Sequence, residues 1–329
     1  MRRRGGWAAV LIASALAVGA LGCARERIGP PPDAPGVSDP PDAIPPDLDV
    51  VVRIDLRRMR AALGPGVLER LRLPAGGHAS EDKDDARLLA DVLERADLVF
   101  IAFRPGLALA DTDRVVVLEG RFADFDVRRY GGKARWTAGQ DLGAAWFRFE
   151  RSKGAARGAP AQVYVRATDL VVLVSVAEID SVERAIQGRS VSARLEVPSR
   201  GAVSVAARAG SLRRLIAESA SAAAELLSRA GLVRGYGDLD ATGVQVELEV
   251  EFHSEADARD AGKAASVVAA AVAEGDGVAA RVARETSVET VGKVVVLRVR
   301  LGGDLLADVL QGGGRRDGAG PLDPPTAEP

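Results

Sequence analysis

Val244 to Phe252 alternates without a fault. Val244, Val246, Leu248, Val250 and Phe252 fall on one side, and Gln245, Glu247, Glu249 and Glu251 on the other. Strict period two over this length means a strand with one buried face and one wet face. A chain carrying such a strand needs a sheet, and something apolar must cover one side of that sheet.

The other segments are read against this one. Asp49 to Ile54, Leu98 to Phe103, Val115 to Phe122, Ala144 to Phe149, Gln162 to Val165, Leu170 to Val176, Ala202 to Ala206 and Val233 to Asp238 are expected strands. Arg281 to Val288 and Val294 to Leu301 read as a closing hairpin. Helical spacing marks Leu56 to Leu63, Val67 to Leu71, Ala86 to Ala96, Glu178 to Gln187, Ser211 to Arg229 and Asp304 to Gln311, with Asp124 to Tyr130 a short helix. A further helix starts at the cap Ser254 and ends at Gly275. Its apolar stripe, Ala258, Ala261, Ala265, Val268 and Val272, is small enough to lie close on a sheet.

The order of elements recurs. Asp49 through Ile54 leading to Arg57-Arg58 parallels Gly201 through Val205 leading to Leu212-Arg213-Arg214. Thr112 through Val116, Leu118, Glu119 and Phe122 parallel Thr242 through Val246, Leu248, Glu249 and Phe252. Asp169 to Leu173 parallels Lys293 to Leu297. The expected fold class is α+β. Two weakly similar repeats, 47–190 and 198–311, would each be an antiparallel sheet with helices on one face, roughly ferredoxin-like.

The N-terminus has its own logic. Arg2, Arg3 and Arg4 precede an uncharged apolar run from Trp7 to Gly19, closed by Ala20-Leu21-Gly22-Cys23. A basic start, a moderate apolar core and a small-residue exit make an export signal over 1–22. Its end resembles the lipobox of bacterial lipoproteins. Gly22 fits that pattern, while Ala20 stands where Leu is usual and Leu21 where a small residue is usual. The resemblance implies cleavage before Cys23 and acylation of Cys23, for example with palmitate. Ala24, rather than Asp, follows the cysteine. By the same resemblance this favours the periplasmic face of the outer membrane. Residues 23–46, with Pro30-Pro31-Pro32, Pro40-Pro41 and Pro45-Pro46, read as a disordered tether. At ~3.1 Å per residue it reaches ~70 Å. Residues 312–329 read as a disordered tail. The opening of the mature domain, an apolar strand followed by Ile54-Asp55-Leu56 and an Arg-rich helix, resembles exported bacterial proteins without an assigned activity.

Charge and composition exclude several classes. The formal charge of −2 becomes −5 once Arg2, Arg3 and Arg4 leave with the signal. That argues against a nucleic-acid partner. The chain has 1 cysteine, so with Cys23 acylated no disulfide is available. The sequence contains no Walker loop, G-x-S-x-G or G-x-G-x-x-G. His78 and His253 have no second histidine at ligand spacing.

Weak cation candidates remain. Asp238, Asp240, Thr242, Gly243 and Glu249 approach a calcium-loop spacing, but Thr242 replaces an acid and Glu249 sits in a strand. The polar insert His78 to Asp85 is a second candidate, better read as a solvated loop. Glu247, Glu249 and Glu251 are expected to pair with arginines such as Arg298 and Arg300 on a neighbouring strand. No cofactor is expected. The functional expectation is a lipid-anchored, non-enzymatic envelope module that binds an envelope protein or polymer. A binder of a small apolar ligand between the repeats is second, and an envelope hydrolase third.

Overall fold

The computed structural model describes residues 40–64, 83–105, 112–132, 135–139, 146–152, 158–166, 168–189, 194–216, 221–240 and 243–305. The signal, Cys23, most of the tether, His78, Thr242 and the 312–329 tail lie outside the described residues.

The strands are β1 (Val50–Asp55), β2 (Ala96–Phe103), β3 (Arg114–Gly120), β4 (Trp136–Ala138), β5 (Trp146–Arg151), β6 (Gln162–Arg166), β7 (Leu170–Val174), β8 (Val203–Arg208), β9 (Ala230–Asp240), β10 (Gly243–Phe252), β11 (Thr286–Val291) and β12 (Val294–Gly302). The helices are α1 (Leu56–Leu63), α2 (Lys83–Arg95), α3 (Ile179–Ile186), α4 (Ala209–Ile216), α5 (Ser221–Leu227), α6 (Glu255–Ala273) and α7 (Val278–Arg284). The fold is α+β, but it has one sheet where the repeats suggested two. The 12 described strands form a continuous sheet, β11-β12-β10-β9-β8-β1-β2-β3-β7-β6-β5-β4. Each pairing is antiparallel.

The seam between the halves is the β1–β8 ladder, with Val52 opposite Val205 and Ile54 opposite Val203. Outward from that seam the halves mirror each other, β1-β2-β3-β7-β6 one way and β8-β9-β10-β12-β11 the other. Leu118 lies opposite Val99 and Val171, and Leu248 opposite Gly235 and Leu297. These ladders make Val171 the counterpart of Leu297, two residues from the counterpart that the sequence pattern suggests.

Burial explains the composition of each strand. Leu170–Val174 is buried at every position. It is covered on one side by Leu56, Met59, Leu88 and Val92 of α1 and α2. On the other it meets Val182 of α3 together with Ala43, Ile44 and Leu48. A strand buried on both faces reads as an unbroken apolar run. Among the described residues, helices cover one face of the second half, where Ala209, Ala258 and Ala261 pack with Val233, Val250, Phe252 and Val295. A strand covered on one face alternates, as β10 does.

The structure corrects four further expectations. The fold starts before residue 47: Pro40–Ala43 is a 3-10 turn, and Ala43 and Ile44 are buried, so apolar anchoring ends the tether early. Arg281 to Arg284 belongs to α7, not to a strand, because Val278 and Val282 pack four residues apart on the β10–β12 core. The first half is covered on both faces rather than one. The α6 stripe is buried only through Ala261 and Gly262, while Val268 is 57% and Val272 38% exposed. The close approach itself is real. A Cβ on Gly262 would stand 2.1 Å from Thr290 Oγ1, so glycine lets α6 sit directly on β11. Ser254 caps α6, its Oγ accepting from Asp257 N–H at 3.1 Å and donating to the Asp257 carboxylate at 2.5 Å.

Candidate functional site

Among the described residues no helix packs on the second face of β9, β10, β12 and β11, and its polar side chains form a connected network. Alternation along β10 sends Glu247, Glu249 and Glu251 to this side. The ladders set Glu247 beside Arg298 and Tyr236, and Glu249 beside Arg234. The Arg298 guanidinium donates to Glu247 at 2.8 Å and to Glu289 at 2.7 Å. Arg200, which arrives from the loop before β8, donates to Glu247 at 2.8 Å and to Glu249 at 3.2 Å. Its guanidinium lies 4.1 Å from the Tyr236 ring centroid. Arg234 meets Glu251 at 3.6 Å. The expected pairing of Glu247 with Arg298 is present. The part played by Arg200 and Tyr236 was missed, and no sequence spacing signals a contact between residues so far apart.

The electrostatics follow from this packing. Burial pushes the Glu247 carboxyl up, but the Arg298 hydrogen bond and the Arg200 and Arg298 charges outweigh it, and its pKa ends below the ordinary value. Burial and the Glu247 charge raise the Tyr236 phenol. Hydrogen bonds to Glu289 and Glu247 raise Arg298 further. The result is a ridge of alternating fixed charges with a buried centre at Glu247 and an exposed rim at Arg200, Glu251 and Glu289.

The calcium-loop candidates do not come together. Asp238 accepts from Arg58 at 2.5 Å and from the Leu239 N–H at 2.9 Å. It lies opposite Gln245, four positions along β10 from Glu249, which is held by Arg200. Strand rise separates those levels by ~13 Å. Asp240 ends β9 beside Gly243. Among the described residues no cluster of three or more His, Cys, Asp or Glu could hold a metal ion. His253 is exposed between β10 and α6.

At the far end of the first half, Glu178 is the one described carboxyl group with a raised pKa. Desolvation pushes it to about 7, against the pull of Arg104 and with the help of Asp47 and Asp113. Its side chain is 2% exposed, and Oε2 has no hydrogen-bond partner. Arg104 bridges it to Asp47. The Glu178 side chain is buried, while Arg104 and Asp47 beside it reach the surface.

Two clefts lie in the second half. One of about 490 Å³ is lined by Arg281, Arg284, Glu285, Arg300, Asp304 and Leu305. The other, about 200 Å³ between α5 and α6, is lined by Leu226, Arg229, Phe252, Asp257, Ala261 and Ala264. Neither lies between the halves, where β1 and β8 are hydrogen-bonded neighbours.

No family model matches the chain, and no curated protein matches it. Among solved structures, crystal form I of TP0453 is similar at 12% identity and a TM-score of 0.46, over 84% of this chain and 98% of that one. Crystal form III of TP0453 gives 13% identity and a TM-score of 0.47, over 84% and 99%. A likeness this distant assigns neither an activity nor a partner. No described helix is long and apolar enough to cross a membrane.

Proposed function

We propose that this chain is a non-enzymatic envelope protein, held to the periplasmic face of the outer membrane by a lipid on Cys23, and that it binds an envelope protein or polymer. The observation that carries this reading is the charged face of β9–β12, on which no described helix packs. The other half of the same sheet is covered on both sides, whereas this face holds Arg200, Arg298 and Glu289 at the surface in a fixed array around the buried Glu247. Fixed alternating charges suit recognition of a complementary macromolecule more than turnover of a small substrate. The mirrored strand order supports an origin of the two halves by duplication, with the second half left open for binding. Cys23→Ser tests the anchor. It should release the protein from membranes or leave the precursor uncleaved. A Cys23→Ser protein that is processed and still sediments with membranes removes the lipid from the account.

A further inference from the structure

The two ends of the sheet are built differently. β4 closes one end with only Trp136–Ala138. β11 closes the other with Thr286–Val291, in unbroken register with β12. Its sequence, Thr-Ser-Val-Glu-Thr-Val, is mostly β-branched and has no proline, lysine or glycine. Natural sheets blunt such an edge with bulges, prolines or charges, because its outward N–H and C=O groups are a template for another strand. Here the edge has Glu289 alone, and Arg298 draws that carboxylate inward at 2.7 Å. Among the described residues no strand pairs on the outer side of β11.

We infer that β11 pairs antiparallel with β11 of a second copy of this chain, across a twofold axis at Val288, joining two sheets into one. Head-to-tail addition would need β4 as the acceptor, which is too short for a ladder of matching length and would not close. A twofold axis perpendicular to the sheet keeps side chains on their own face, so residues of the same parity meet. One register pairs 286–290 with its copy: Val288 faces Val288, Thr286 faces Thr290, and Ser287 faces Glu289. The other pairs 287–291 and sets Glu289 against Glu289. Like charges directly opposite destabilise a ladder, whereas β-branched and Thr–Thr pairs support it. Charge therefore selects the register centred on Val288. An extended segment of another protein would meet the same backbone groups without this self-match.

The test uses the full chain in its membrane and in mild detergent. Val288→Cys should give a disulfide-linked dimer on oxidation in membranes, since directly opposed residues lie at disulfide distance. The chain without the substitution, which has only Cys23, sets the background. Ser287→Glu should weaken the dimer about tenfold or more by facing Glu289 of the second copy. Its own Arg298 lies across the β12 ladder and keeps the strand in place. Adding Glu289→Ser to Ser287→Glu puts glutamate back opposite serine and should restore association. A sedimentation mass of one chain at every concentration overturns the inference. So does a dimer that neither links at Val288→Cys nor responds to the exchange, and so does an edge occupied by another protein.

Discussion

Leu118 and Leu248 stand on the same face of one continuous sheet, each on the third strand out from the β1–β8 seam. Leu118 is fully buried beneath α1 and α2. Leu248 is half-buried beside the core under α4, α5 and α6, and its Cδ1 would stand 3.1 Å from a Cβ on Gly235. Leu118→Ala should cost ~2–5 kcal/mol and Leu248→Ala should fall at or below the low end of that range. Chemical denaturation of the two variants checks the ranking. Equal and negligible losses would contradict the packing of both halves.

Glu178 gives the fold a pH dependence of definite sign. Burial raises its carboxyl to about 7 from the ordinary 4.5. The folded state therefore holds the proton more tightly than the unfolded chain. Stability conferred by this group is gained as pH falls from above 7 and is lost as pH rises through the window from about 4.5 to 7. The upper bound is on the order of 3 kcal/mol. Glu178→Gln should flatten the slope and melt no lower than the native chain at pH 8, with Arg104 still paired to Asp47. A native chain that becomes steadily more stable from pH 5 to pH 8, by an amount that Glu178→Gln removes, would reverse the assignment.

The rim of the charged face should contribute little to stability. Arg234 and Glu251 are 36% and 49% exposed and 3.6 Å apart. Glu251→Lys should shift stability by less than about 0.5 kcal/mol. Glu247 is different, with its side chain 9% exposed between two arginines. Removing Glu247 leaves Arg298 to Glu289 alone, and Glu247→Ala should cost about 1–3 kcal/mol. Urea titration of the pair of variants measures the contrast.

Calcium and EDTA should both leave the melting temperature unchanged. A site filled at about a hundredfold over its Kd would add ~2.7 kcal/mol. Asp238 and Glu249 are each engaged by arginine, on different levels of the hairpin. A calcium-dependent rise of several degrees would mean that the hairpin rearranges around the ion.

Strands with a regular burial pattern were legible in sequence, and pairings between distant segments were not. β10 declared its environment, one wet face for Val244–Phe252. The unbroken apolar run Leu170–Val174, buried at every position, carried the sign of cover on both faces, and the expectation of helices on one face overlooked it. β4 is too short to show a period. β9 runs from Ala230 to Asp240, beyond the expected Val233 to Asp238, and Gly235 within it leaves room for Leu248 and Val205. Arg281 to Arg284 leads directly into Thr286 to Val288 and reads with it as one strand, although Val278 and Val282 pack at helical spacing. The β1–β8 seam and the contact of Arg200 with Glu247 join segments far apart in the chain, and nothing local encodes either.

The central claim is that the open face of β9–β12 binds a macromolecule of the envelope. Its most direct test compares retention of envelope components by the full chain and by a chain carrying Glu249→Lys and Glu251→Lys, at matched melting temperature. The account predicts a component that the native chain retains, that salt elutes, and that the reversed face loses. Retention of the same components by both chains, with the same salt dependence, would contradict it.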